Sequence, residues 1–247
     1  MQFGQYNFKP QIVSMIIALI GLTILINLGN WQVERAEEKE IILKDVADRK
    51  SSLPLSLSDL DNIEDKDYYN LSLKGHFDAN HTLILDNRFY KSRVGFEVLQ
   101  PFVVDSIDGE EQRVVLVNRG WIPLPIDRTI LPQIPKEEGL IKIVGEVNIP
   151  KGAIVLKKDV LAASASWPIL IQSIDINDLT NLYAELNMTL DPWVLRQTED
   201  DVDFYQQDWI FVSMQPARHL SYAVTWFGLA LVLIIIYIAA HTSREEL

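Results

Sequence analysis

Cysteine is absent from all 247 residues. That excludes thiolate sites for zinc, copper or iron–sulfur clusters, and it excludes disulfide exchange. Recognisable catalytic signatures are missing too: the chain has no G-x-S-x-G, no H-E-x-x-H, no phosphate loop and no G-x-G-x-x-G. Histidine is scarce, with four in total. His76 and His81 stand five apart, which places them on opposite faces of an unbroken strand, and two imidazoles without a third ligand make a poor metal site. His241 reads as a residue of a membrane edge. Acidic runs such as "TEDDVD" read as solvated loop, and nothing pairs two acids in an apolar setting. Basic residues are outnumbered, 22 Lys and Arg against 34 Asp and Glu, for a net charge of −12. Such a balance argues against nucleic acid and against a broad basic face on anionic headgroups.

Charge is also missing locally. "PQIVSMIIALIGLTILINLGNWQV", Pro10 to Val33, and the stretch from Leu220 to Ala240 contain no ionisable acid or base apart from tyrosine. Each meets the roughly 20 apolar residues needed to cross about 30 Å of hydrocarbon, so both are read as transmembrane helices. The first is read as an uncleaved anchor. Its apolar run exceeds that of a secretory signal, only Lys9 precedes it, and "NLGNWQ" is no A-x-A-like cleavage site. The arginines and serines of a transit peptide are lacking, which points to a bacterial plasma membrane.

The expected organisation is a short tail over 1–9, a first span over 10–33, a domain over 34–218, a second span over 219–241 and a tail over 242–247. Both tails then lie on the cytoplasmic side and the domain outside, an expectation that rests weakly on charge because each tail has one basic residue. A domain of about 185 residues can build its core without disulfides.

Within that domain, "ERAEEKEIILKDVADRK" reads as a continuation of the first helix, and "SSLPLSLSDLDNIEDKD" breaks regularity. Strand patterns follow in "YNLSLKGHFD", "HTLILDNR", "GFEVLQPFVV", "QRVVLVNRGWIP", "GLIKIVGEVNIP", "WPILIQSIDI" and "LDPWVLRQT". The third and fourth form a hairpin across "DSIDGEE" with its Asp-Gly pair. One short helix, "LTNLYAELN", takes Asp178 as its N-cap. The fold class is therefore a membrane protein in which two transmembrane helices flank an α+β domain, mainly antiparallel β, as a sheet or partly closed barrel.

Two places draw attention. In "LVNRGWIP" a strand delivers Asn118, Arg119, Gly120 and Trp121 to a turn, where glycine allows backbone that a side chain would forbid and Pro123 ends the ladder. That turn is read either as partner-binding or as structural, with Arg119 paired to a carboxylate and Trp121 covering the sheet. The second place is the entrance of the second span, where Arg218 and His219 precede the apolar run. His219, Tyr222, Trp226 and Leu233 fall at i, i+3, i+7 and i+14 and share a helix face. Thr23, Asn27 and Trp31 repeat every four residues on the first span, and Asn27 is a polar group in hydrocarbon that would seek a partner helix. Plain helix packing with interfacial aromatics accounts for these residues equally well.

Taken in order, "LGNWQVERAEEK", "GHFD", "LILDNR", "GFEVLQPF", "VLVNRGWIP", "WPILIQ", "DPWVL" and "HLSYAVTWFGLA" resemble the Surfeit locus protein 1 family, membrane proteins that assist assembly of cytochrome c oxidase. The resemblance covers nearly the whole chain. It implies an extracytoplasmic domain between two anchors, no enzymatic activity, and a part in supplying haem a to the oxidase large subunit, with haem a synthase as a further partner. It also implies that His219 is an axial ligand of a transiently held haem a; beside such a haem, the residues themselves place Arg218 to meet a propionate and Tyr222, Trp226, Asn27 and Trp31 as walls. A single histidine leaves the second axial position to a partner, to a second copy of this chain, or open. The alternatives are a cofactor-free scaffold for nascent oxidase subunits and a tethered envelope enzyme.

Overall fold

The computed structural model describes residues 2–3, 6–105, 112–125, 131–151, 161–198 and 204–244. They fall into two compact units, Met1–Asp45 with Ile210–Leu247, and Val46–Trp209.

The first unit opens with strands β1 (Gln2–Phe3) and β2 (Tyr6–Phe8), followed by helix α1 (Ile12–Lys50). At 39 residues α1 is long enough to extend about 58 Å, well beyond one bilayer thickness. The helix starts after Pro10, and no further proline occurs before Pro54, so nothing interrupts its hydrogen-bond ladder.

The second unit contains α2 (Leu57–Asp61), β3 (Asn70–Phe77), a 3-10 turn (Ala79–His81), β4 (Leu83–Tyr90), β5 (Arg93–Val104), β6 (Arg113–Pro123), β7 (Ile141–Asn148), β8 (Ile169–Ile171), α3 (Ile176–Ala184) and β9 (Thr189–Gln197). The chain then returns to the first unit as α4 (Pro216–Ala240) and β10 (Thr242–Arg244).

In the first unit α1 and α4 are both long and apolar enough to cross a membrane. Their apolar side chains point outward, with Ile12 and Val224 each 72% exposed, the reverse of a helix in a soluble core. At their far ends β10 and β1 flank β2 in an antiparallel three-stranded sheet, and the Lys9 amide donates to the His241 carbonyl at 2.8 Å. That sheet holds the two chain ends together and makes the helices antiparallel.

The second unit is a mixed seven-stranded sheet in the order β3-β7-β9-β6-β5-β4-β8. A further antiparallel pairing of β3 with β5, Gly75–Phe77 against Phe102–Val104, closes β3, β7, β9, β6 and β5 into a five-stranded barrel. Gly75 permits the closure, since a Cβ there would stand 2.1 Å from the Val103 carbonyl oxygen. The sheet is mainly antiparallel, as the strand order suggests. The exceptions are β6 with β9 and β4 with β8, both parallel. The first arises because the chain crosses over through β8 and α3 before β9 inserts between β6 and β7.

Central position explains the unbroken apolar run of β6. Val115 and Val117 pack with Leu60, Phe102 and Trp193 on one side, while Val114 and Leu116 pack with Leu179, Leu182 and Tyr183 of α3 on the other. A strand buried on both faces does not alternate.

Helix α3 begins earlier than the sequence suggested: Asp175, not Asp178, is the N-cap, accepting from the amides of Asn177 and Asp178. Asp178 occupies the first turn, where a carboxylate also favours the helix dipole. The irregular stretch after α1 contains α2, closed by a capping box between Ser56 and Asp59. The hairpin strands β5 and β6 pair antiparallel from Gly95–Pro123 to Val103–Val114, while the Asp-Gly turn between them lies outside the described residues. "TEDDVD" lies outside them too, apart from Thr198.

Candidate functional site

Helix α4 turns one seam toward α1. His219, Ala223, Trp226, Ala230, Leu233 and Tyr237 are its shielded positions, spaced alternately four and three residues apart. On α1 the matching shielded series runs Ser14, Ala18, Gly21, Leu25, Leu28 and Gln32. This is the seam of two antiparallel helices that meet every 3.5 residues. Small residues let them approach: a Cβ on Gly21 would stand 3.1 Å from Leu233 Cδ2, and one on Gly29 would stand 2.4 Å from Phe227 Cε1.

Both ends of the seam are fastened by histidine. His219 Nδ1 lies 2.7 Å from Gln32 Oε1, and an amide oxygen can only accept, so Nδ1 carries the proton. In a neutral imidazole so held, Nε2 keeps the lone pair, the arrangement of a metal-ligating histidine whose other nitrogen is bound. At the opposite end His241 Nε2 meets Ser14 Oγ at 2.7 Å, and its Nδ1 meets the Tyr237 carbonyl at 2.9 Å. Phe8 and Tyr237 flank that ring.

The other residues proposed around His219 divide. Trp226 shares its seam, as does Leu233, whereas Tyr222 and Arg218 are exposed. Thr23, Asn27 and Trp31 are exposed and lie off the shielded seam of α1. Asn27 donates to the Thr23 carbonyl at 2.7 Å, Thr23 donates to the Leu19 carbonyl at 2.8 Å, and Trp31 is 47% exposed beneath Arg35. The physical reason is drift, because a strict four-residue repeat rotates about 40° per step on an α-helix and leaves the contact seam. Gln32, one position beyond Trp31, is the residue that meets the imidazole. The alternating three-four spacing of Ser14, Ala18, Gly21, Leu25, Leu28 and Gln32 is the signal that identifies it.

In the barrel unit, Asn118–Trp121 do not form the turn expected from the sequence: they continue strand β6, around a bulge. Val98 pairs with Gly120 and Leu99 with Asn118, so Arg119 is the extra residue and its side chain turns inward. Arg119 is fully buried: Nη1 donates to Gln100 Oε1 at 2.8 Å, Nη2 meets the Glu137 carboxylate, and the guanidinium lies over Phe77 at 4.2 Å and Tyr205 at 4.7 Å. Asn118 Nδ2 donates to Glu97 at 2.6 Å while its Oδ1 accepts the Gly120 amide. Gly120 has φ +128, and a Cβ there would stand 2.8 Å from the Gln206 carbonyl oxygen. Trp121 is bound on both backbone atoms by Gln206, and its indole donates to the Arg88 carbonyl at 3.0 Å. All four residues are buried in this network. Their contacts tie the segments carrying Glu137 and Gln206 to the barrel.

His76 and His81 do not share a strand, since β3 ends at Phe77; His81 Nδ1 pairs with Asp78 at 2.5 Å, edge-on to Trp167, while His76 is exposed. Among the described residues no cluster of three His, Cys, Asp or Glu could hold a metal ion. One buried acid escaped the sequence reading. Glu146 on β7 faces Arg196 of β9 at 3.7 Å, and burial pushes its carboxyl up to about 6 against the pull of Arg196 and Lys50.

A model of the SURF1 family matches residues 19–231. The SURF1-like protein of Rickettsia felis is 27% identical, with 90% of this chain and 94% of that protein aligned. The cytochrome oxidase assembly protein SHY1 of Saccharomyces cerevisiae is 26% identical, with 86% of this chain and 71% of that protein aligned. Surfeit locus protein 1 of Arabidopsis thaliana is 31% identical over 48% of this chain and 36% of its own length. The family match starts within α1, takes in the barrel and ends within α4: the chain belongs to the SURF1 family.

Proposed function

We propose that this protein is a bacterial plasma-membrane assembly factor for cytochrome c oxidase, without catalytic activity of its own, which presents His219 to haem a on its way to the oxidase large subunit. The oxidase assignment is supported by the name of the yeast relative. The haem assignment rests on the hydrogen bond between Gln32 and His219, which holds Nδ1 as donor and leaves Nε2 as the ligating atom. Haem a supplies the iron that an imidazole can bind. The residues present fit that role: a histidine oriented by an amide, an exposed arginine next in sequence, and an exposed tyrosine, Tyr222, one turn further along the helix.

Because Gln32 and His219 are in direct contact, the two helices are closed at that level, and a macrocycle would meet His219 from outside the pair rather than between the helices. One protein ligand and an open flank suit a carrier that must release its cargo. In this reading both helices span the bilayer, the barrel is extracytoplasmic, and haem a synthase is the donor. The second reading, a cofactor-free scaffold for nascent subunits, is favoured by the same closed seam.

Cells lacking the protein are complemented with wild type or with His219→Ala, and haem a bound to assembled oxidase is measured in their membranes. The haem-presenting reading expects wild type to restore it and His219→Ala to fall well short at equal protein level. Full restoration by His219→Ala supports the scaffold instead.

A further inference from the structure

From Asn87 to Arg93 the chain carries Arg88, Lys91 and Arg93 and no carboxylate, although its net charge is −12. This segment is the end of the β4–β5 hairpin. Leu83, Ile84 and Leu85 are in the core, but from Asp86 onward β4 alternates between half-buried and exposed, so the arm runs out past the packed sheet. It pairs Arg88 with Gly95, Phe89 with Val94 and Tyr90 with Arg93.

Lys91 and Ser92 make the two-residue turn, both in the left-handed region with φ 44 and 65. Such turns ordinarily take asparagine or glycine. A lysine there strains the backbone, and its ammonium lies over the Tyr90 ring, 4.8 Å from the centroid.

The arm has two faces. Tyr90 and Arg93 lie against Trp121, with ring centroids 5.2 Å apart and the guanidinium 5.9 Å from the indole centre. Alternation turns Phe89 and its partner Val94 the other way, and Phe89 is 65% exposed. Lys91 and Arg93 are exposed and Arg88 half-buried, and among the described residues none of the three forms an ion pair.

We infer that the tip of the β4–β5 arm is a foot for an anionic lipid surface, with Phe89 entering the headgroup boundary while Lys91 and Arg93 bind lipid phosphates. An exposed aromatic beside basic side chains is the composition of an interfacial anchor. One phenylalanine and one valine are far too small an apolar area for a stable protein interface, which takes about 800 Å² from each partner. A lipid foot needs no such area, because the two apolar helices of the same chain keep a bilayer at high effective concentration. The strong negative charge of the remaining chain is repelled by an anionic surface, so a local cationic point favours its own approach to it.

The absence of cysteine makes the test direct, since Phe89→Cys in the full chain accepts a single environment-sensitive fluorophore. The labelled protein is placed in nanodiscs of phosphatidylcholine, with or without phosphatidylglycerol, and nitroxide lipids serve as quenchers. The expected result is a blue-shifted emission quenched by the nitroxide in the anionic discs, with most of that quenching lost when Lys91→Glu and Arg93→Glu are added. A probe that stays in water in both lipids overturns the inference. A blue shift without nitroxide quenching also overturns it, because the tip would then be covered by protein.

Discussion

Gln32 and His219, 187 positions apart, share a 2.7 Å hydrogen bond that joins the two apolar helices near one end of their seam. The bond does two things at once. It pairs the Gln32 amide oxygen with an imidazole nitrogen across two helices apolar enough to cross a membrane, and it holds the ring so that, when neutral, the lone pair lies on Nε2.

Gln32→Ala is therefore expected to lower haem retention by about tenfold or more while the protein still reaches the membrane. Gln32→Glu should retain haem but shift its reduction potential downward, because a carboxylate on Nδ1 makes the imidazole a stronger donor. Titrating haem into purified full-length variants, followed by redox potentiometry, measures both. Equal retention and equal potential in all three proteins would remove Gln32 from the site.

Gly120→Val is expected to destabilise the barrel by about 2 kcal/mol or more, since it combines a disfavoured φ with a clash against the Gln206 carbonyl. Thermal unfolding should fall by about 4–8 °C. The haem spectrum of the protein that remains folded should not change.

Arg119→Met and Glu137→Gln separate charge from shape. The first removes the buried cation and strands Glu137 and Gln100, for an expected loss of about 3–5 kcal/mol. The second keeps a hydrogen-bond acceptor on the half-buried partner and should cost clearly less. Chemical denaturation of the two variants side by side gives the comparison, and equal losses would contradict the buried role of Arg119.

Glu146 makes stability depend on pH. Its carboxyl is raised in the fold, so its contribution is fully present below the ordinary value of 4.5 and is lost as pH rises through about 6. The loss is on the order of 2 kcal/mol. Glu146→Gln should flatten the stability profile between pH 4.5 and 6, read as melting temperature across that range. A profile that keeps its slope assigns the dependence to other groups.

Much of this architecture was legible in the residues. Two uncharged stretches gave the two apolar helices, and alternation in "YNLSLKGHF" and the apolar run in "VVLV" gave strands, whereas "NRGW", read as a turn, continues β6. What escaped depends on contacts far apart in sequence. Nothing local announces that Gly75 approaches Val103 to close a barrel, or that β9 slips between β6 and β7. The bulge that turns Arg119 inward needs two strands to define it. On the helices the period decided the outcome: Thr23, Asn27 and Trp31 look like a face at four-residue spacing, but the contact seam alternates three and four and passes through Gln32.

The most direct measurement is the visible spectrum of the full-length protein purified from cells that make haem a, recorded for wild type and for His219→Ala. The account expects a haem a band with wild type and its loss with His219→Ala at unchanged fold. A His219→Ala protein carrying as much haem a as wild type, or a wild type carrying none, would contradict it.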